Sequence, residues 1–221
     1  MVRRRVGSFL IDDDVSANAS KSVLIAESAD DLRKIGELRY SLYVERDGKA
    51  YPCADRDHAC LIEPIDHDSL NLFGLIQGAC VSTLRITRAH LAVEDEYLHR
   101  LLANSPFDSS SYDKVLVASR LASHPNADSH ALMLSVIRES YRIALRNGIA
   151  FTVAATRTSL LPFFTRLGFV PSGQTYSETV AGKMNVVVLD MYDRRQLESV
   201  QSIFLDPLDE FESEKTAGAC A

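Results

Sequence analysis

Apolar positions recur along the chain in two periods, and the alternation between them predicts an order of elements. Residues 21–27 (KSVLIAE) form the short apolar run of a strand. Ser28 stands three positions before Asp31, a capping-box-like helix start. Leu32, Ile35, Leu38, Leu42 and Tyr43 then repeat at three-to-four spacing, which predicts an amphipathic helix over 29–45. The stretch 46–69 is polar, with two prolines and six Asp or Glu residues, and reads as a long loop of the kind that usually serves function. Residues 70–77 and 79–87 are β-rich and flank Gly78, a hairpin pattern. A short helix at 94–103 and a core strand at 114–123 follow. The helical period then returns over 128–147 and closes on Asn147-Gly148. Residues 149–155 read as a strand and 159–167 as a short helix. Phe169 begins another strand after Gly168, 186–191 is the last strand and 194–201 a closing helix. Residues 1–20 show no period and read as a flexible arm, and the stretch from about 206 reads as a flexible acidic tail. With no repeat and no linker, 21–205 reads as a single domain. The element order predicts the α/β (α+β) class, with a mixed sheet and helices on its faces.

Composition narrows the function classes. The 221 residues are 46% hydrophobic and 24% charged, the balance of a chain that buries a real core. Lys and Arg number 24 against 30 Asp and Glu, a net charge of −6 without the basic concentration that a nucleic-acid binder needs. Cys53, Cys60, Cys80 and Cys220 have no CxxC spacing, no His pair has ligand spacing, and neither a metal site nor a disulfide framework is expected. Arg3, Arg4 and Arg5 precede an apolar stretch that ends too soon at Asp12, so no secretory signal is read. No run reaches the roughly 18 apolar residues of a membrane span. A soluble, cytoplasmic protein is the expectation, with its oligomeric state left open.

Two sets of residues carry a resemblance. Pro162-Phe163-Phe164-Thr165-Arg166-Leu167-Gly168-Phe169 resembles motif B of the GNAT-type N-acyltransferases, and it follows Ser119–Pro125, a long helix and a strand in GNAT order. Leu38-Arg39-Tyr40 with Tyr43-Val44-Glu45, Glu63-Pro64-Ile65-Asp66 and Thr83-Leu84-Arg85 resemble the long-chain N-acyl amino acid synthases, relatives of the acyl-homoserine-lactone (autoinducer) synthases. The resemblance spans about residues 22–200. It implies a GNAT-like fold, with a mostly antiparallel twisted sheet flanked by helices. It also implies transfer of a fatty acyl group from the phosphopantetheine thioester of acyl carrier protein to the amine of an amino acid. No cofactor is held permanently; the acyl-phosphopantetheine, on carrier protein or coenzyme A, is a co-substrate.

Three positions depart from that pattern. The segment Asn126-Ala127-Asp128-Ser129-His130 lacks the Gly and Arg of a diphosphate loop, which favours carrier protein over coenzyme A as donor. Phe164 stands where many GNAT enzymes carry a Tyr that protonates the leaving thiolate. Val117 stands where autoinducer synthases have a Glu, three residues before the Arg matching Arg120. A coenzyme A-dependent N-acetyltransferase and a catalytically silent GNAT-fold binding protein remain the alternatives.

The chemistry needs a neutral amine and a stabilised oxyanion. Asp66 matches the family's acidic position and is the expected proton acceptor; a structural pairing with an Arg is its alternative. Arg85 ends a core strand and offers a fork for the acceptor carboxylate. His124 is the remaining titratable candidate. Arg39, Tyr43 and Arg120 are expected on the substrate side, with Arg120 alternatively facing a carrier protein. Leu121, Ala122, Ser123, Ser129, His130, Phe163 and Phe164 are expected on the acyl-donor side, the oxyanion N–H lying near Leu121 to Ser123.

Overall fold

The computed structural model describes residues 3–12, 17–18 and 21–219. Along the chain the elements are β1 (Arg3–Val6), β2 (Phe9–Asp12), β3 (Ala17–Asn18), β4 (Lys21–Ile25), α1 (Ala29–Arg39), β5 (Ala54–Asp55), β6 (Cys60–Leu61), β7 (Leu70–Ile76), β8 (Ala79–Arg88), α2 (Ala89–Ala92), α3 (Glu96–Ala103), β9 (Val115–Ser123), α4 (Ala127–Arg146), β10 (Phe151–Thr156), α5 (Leu161–Leu167), β11 (Val170–Glu178), β12 (Gly182–Asp190), α6 (Arg194–Ser199) and α7 (Leu205–Ala219). A π-helix, Tyr40–Arg46, continues α1, and a 3₁₀ turn, Pro64–Asp68, precedes β7. The expected α/β class with mostly antiparallel strands and flanking helices is observed.

The chain forms two compact units. The first comprises the described residues up to Thr87 with Ala118–Glu139 and Thr179–Gly182; the second comprises Arg88–Val117, Ser140–Glu178 and the chain from Lys183. In the first unit the strand order is β9-β8-β7-β4-β3, with the β3–β4, β4–β7 and β7–β8 pairs antiparallel. The β7–β8 hairpin turns on Gln77 and Gly78, both at positive φ (51° and 84°), the twist a two-residue loop needs. Gly74 lets α4 lie close on this sheet: a Cβ there would sit 2.6 Å from Leu132 Cδ2 and 2.5 Å from Ser82 Oγ. The Ser28–Asp31 capping box forms at the start of α1 as the sequence predicts.

In the second unit the order is β11-β12-β10-β9, with β10 and β12 antiparallel from Phe151↔Asp190 to Thr156↔Asn185. The motif around Gly168 closes α5: Gly168 takes φ 107°, and a Cβ on it would meet Leu197 Cδ2 at 2.6 Å. Phe163, Phe164 and Phe169 interlock edge to face, at 5.6 Å and 5.3 Å between ring centres.

Two expectations are corrected. Within the stretch read as a flexible arm, β1 and β2 pair antiparallel, and Phe9 and Ile11 are buried while Leu10 between them is exposed. Residues 1–2, 13–16 and 19–20 of that stretch lie outside the described residues. The stretch read as an acidic tail is the helix α7. Leu208 is buried, and Arg142, Arg146 and Arg194 bind Glu210, Glu214, Asp209 and Glu212 across to it. Cys220 lies outside the described residues.

Candidate active site

The long loop before β7 puts two carboxylates on one short turn. Glu63 caps the 3₁₀ turn and Asp66 lies within it; the Glu63 N–H donates to Asp66 Oδ2 (2.8 Å) and the Asp66 N–H to the Glu63 carbonyl (2.9 Å). Pro64 at the first position pre-sets the turn's backbone. Three guanidinium groups converge on this turn from α1, β8 and β9, all within the first unit. Arg39 ends α1 and donates from Nη1 to Asp66 Oδ1 (2.8 Å) and from Nη2 to Asn71 Oδ1 (2.9 Å). Asn71 in turn donates to the Asp66 carbonyl at 2.8 Å. Arg85 lies opposite Asn71 in the β7–β8 register and donates from Nη1 to Glu63 Oε2 (2.9 Å) and Asp66 Oδ1 (3.2 Å), and from Nε to Ser119 Oγ (3.0 Å). Arg120 forks the Glu63 carboxylate, Nε to Oε2 at 2.5 Å and Nη2 to Oε1.

All five charged side chains are buried, Arg39 and Arg85 completely. Burial alone raises a carboxyl pKa, but the Arg120 and Arg85 guanidiniums override it and hold Glu63 at about 2. Burial likewise opposes ionisation of Asp66, and Arg39 and Arg85 hold it below the ordinary carboxylate range. A carboxylate so stabilised is a weak proton acceptor. Both Asp66 oxygens are occupied by donors, the arrangement of the structural alternative rather than that of the expected base. Two donors in the cluster have no hydrogen-bond partner: Arg85 Nη2 and Arg39 Nε.

Arg120 marks a break in β9. Its φ is 56°, a left-handed backbone that costs an L-residue on the order of 1–2 kcal/mol. The fork to Glu63 and the face of Tyr51, whose ring centre lies 4.7 Å from the guanidinium, hold it there. Beyond the break, the Leu121 carbonyl accepts from the Tyr43 hydroxyl at 3.0 Å. Tyr43 comes from the π-helix, packs on Leu38, Leu42 and Ala122, and lies 6.0 Å from the Tyr51 ring. Of the predicted residues, the structure therefore gathers Asp66, Arg85, Arg39, Arg120, Tyr43 and Leu121 to Ser123. Glu63 and Tyr51 are additional. The spacing Glu63-x-x-Asp66 on one tight turn was the available signal for Glu63.

His124 is half-buried where β9 ends, its N–H donating to the Val81 carbonyl (3.0 Å). At the α4 start, Asn126 Oδ1 takes the Ser129 N–H (2.8 Å), and Asp128 pairs with Lys21 (2.7 Å). Ser129 is buried and His130 exposed. Phe163 and Phe164 belong to the second unit, where they pack in the motif around Gly168. Among the described residues no group of three His, Cys, Asp or Glu side chains could hold a metal ion, and no helix is long and apolar enough to cross a membrane.

The break in β9 thus lies beside a buried arginine–carboxylate cluster. Solved structures agree on the fold. The acyl-homoserine-lactone synthase LasI is similar over 81% of this chain and 94% of its own, with a TM-score of 0.64 at 17% identity. The coenzyme A-dependent acyl-homoserine-lactone synthase BjaI is similar over 78% and 81%, with 0.60 at 22% identity. FeeM, an N-acyl amino acid synthase from uncultured soil microbes, is similar over 82% and 98%, with 0.59 at 17% identity. The chain belongs to the FeeM N-acyl amino acid synthase family, whose family model matches residues 34–192. A search of curated proteins gives no match.

Proposed function

We propose that this acyltransferase moves a fatty acyl group from the thioester of acyl carrier protein to the amine of an amino acid, in the cytoplasm. The observation that carries the acceptor is Arg85 Nη2, a buried guanidinium donor without a partner beside two ionised carboxylates that fix the rest of the group. A substrate carboxylate satisfies such a donor with a charge-assisted hydrogen bond, which an amine without a carboxylate cannot supply. Asp66 and Glu63 then position the guanidiniums, and His124 at the end of β9 is the residue to test as acceptor of the amine proton. The β9 edge at Leu121 to Ser123 supplies the N–H for the thioester oxyanion.

The α4 start supports a carrier-protein donor. Its Ser129 N–H is taken by Asn126 and its first turn carries the Asp128 carboxylate, so the helix start offers a diphosphate little of the usual attraction. The purified protein should therefore use acyl carrier protein well over tenfold more efficiently than acyl-coenzyme A of the same chain length. Mass spectrometry of the products, with amino acids as acceptors, decides both halves of the reading. Equal kcat/KM with the two donors would return the donor to coenzyme A.

Arg85→Lys tests the acceptor. Lys keeps the charge but loses the planar fork, and the expected result is a KM for the amino acid raised at least tenfold with the donor KM unchanged. A variant that loses stability alone, with an unchanged amino acid KM in its folded fraction, assigns Arg85 to structure.

A further inference from the structure

The Tyr43 hydroxyl engages the backbone of the strand that carries the break. Tyr43 donates to the Leu121 carbonyl at 3.0 Å, one residue past Arg120, whose φ of 56° interrupts the regular pleat of β9. In extended backbone the N–H and C=O of one residue lie on the same edge of the strand, and those of the next residue on the other. The Leu121 carbonyl therefore shares its edge with the Leu121 and Ser123 N–H groups, while Ala122 points to the opposite edge. His124, one residue beyond Ser123, donates to Val81 of β8, so the edge of Leu121 and Ser123 is the one turned away from β8.

That edge thus presents a donor, an acceptor and a donor in sequence. An oxyanion forming against the two N–H groups meets the lone pairs of the Leu121 carbonyl between them. A hydrogen bond from Tyr43 draws those lone pairs off and fixes the plane of the 121–122 peptide. The ring that carries the hydroxyl is itself fixed, packed on Leu38, Leu42 and Ala122 with Lys49 Nζ 4.7 Å from its centre. The π-helix is what brings it there, because its wider turn moves the residues after Arg39 off the α1 register.

We propose that Tyr43 is a positioning residue of the acyl-transfer step, its hydroxyl holding the Leu121 carbonyl so that the Leu121 and Ser123 N–H groups stay aimed at the thioester oxygen. The inference rests on the reading above that this strand edge supplies the oxyanion donor.

The test is Tyr43→Phe in the full chain, which keeps the ring and its packing and removes only the hydroxyl. With acyl carrier protein as donor, kcat should fall about tenfold to a hundredfold, less than the roughly hundredfold to thousandfold cost of removing an oxyanion donor itself. KM for both substrates should stay within about twofold, and the bends of the pH–kcat profile should stay in place. A fall in kcat that also removes a bend at high pH makes Tyr43 a proton donor and overturns the proposal. So does a raised donor KM, which makes it a binding residue, or a lowered Tm with unchanged kcat, which makes it a packing residue. A wild type that acylates no amino acid from either donor overturns the functional reading and this proposal together, whereas an active wild type with an equally active Tyr43→Phe overturns this proposal alone.

Discussion

Asp66→Asn is expected to cost the protein about 3–5 kcal/mol of stability, the usual result of removing one partner from a buried ion pair. Asp66 Oδ1 receives both Arg39 and Arg85, and Oδ2 receives the Glu63 N–H, so the substitution strikes the turn and two guanidiniums at once. An amide can still accept at one position, but it cannot offset two buried positive charges. Urea denaturation measures the loss. Activity separates this role from that of a base. If Asp66 took the amine proton, the variant would be stable, slow at neutral pH and partly restored as pH rises and the amine loses its proton. The structure points to the opposite pattern: lower stability, and no recovery with pH in the folded fraction. A stable Asp66→Asn with pH-restored kcat would show that the carboxylate is the base after all.

Glu63→Gln should produce the second large effect, and one that depends on pH. Burial works against the ionised carboxyl, yet Arg120 and Arg85 hold its pKa at about 2, below the ordinary 4.5. Because the folded-state value is the lower one, the stabilisation is fully present above about pH 4.5 and is lost as pH falls towards 2. The gap corresponds to about 3 kcal/mol at neutral pH. Protonated Glu and Gln have nearly the same shape and hydrogen-bonding groups, so wild type and variant should converge on acidification. The stability difference should fall to less than half its neutral value by about pH 3. A difference that stays constant between neutral pH and pH 3 would mean that Glu63 acts through shape rather than charge.

How far the fold could be read from the sequence depended on whether the signal was local. The Ser28 cap, the three-to-four repeat of α4 and the β-rich runs around Gly78 each lie within a few residues, and each appears where expected. The hairpin of β1 and β2 was missed because four-residue strands are too short to show a period; only its burial makes Phe9-Leu10-Ile11 readable as in, out, in. Helix α7 was missed because its acidic face looks solvated until Arg142 and Arg146, far back in the chain, and Arg194 of the preceding helix are set against it. The site followed the same rule. Arg39, Asp66 and Arg85 stood out as charges among apolar neighbours or at a family position, and a pairing of Asp66 with an Arg was one of the two readings, but the part of Glu63 was invisible. Glu63 meets Arg85 22 positions away and Arg120 57 positions away. Whether a carboxylate is a base or a clamp is decided by those partners, and residue type says nothing about it.

The seven-residue π-helix has one more consequence, for the length of the chain rather than its chemistry. A π turn holds more residues than an α turn, so it amounts to an extra residue accommodated without breaking the helix. If the segment relaxed to the α pitch at unchanged length, every later side chain on the helix would swing by about 100° around its axis. Tyr43 would then face away from Leu121. Loss of one residue between Tyr40 and Tyr43 cancels that swing, so a homologue one residue shorter at this point would present the same face through an ordinary α-helix.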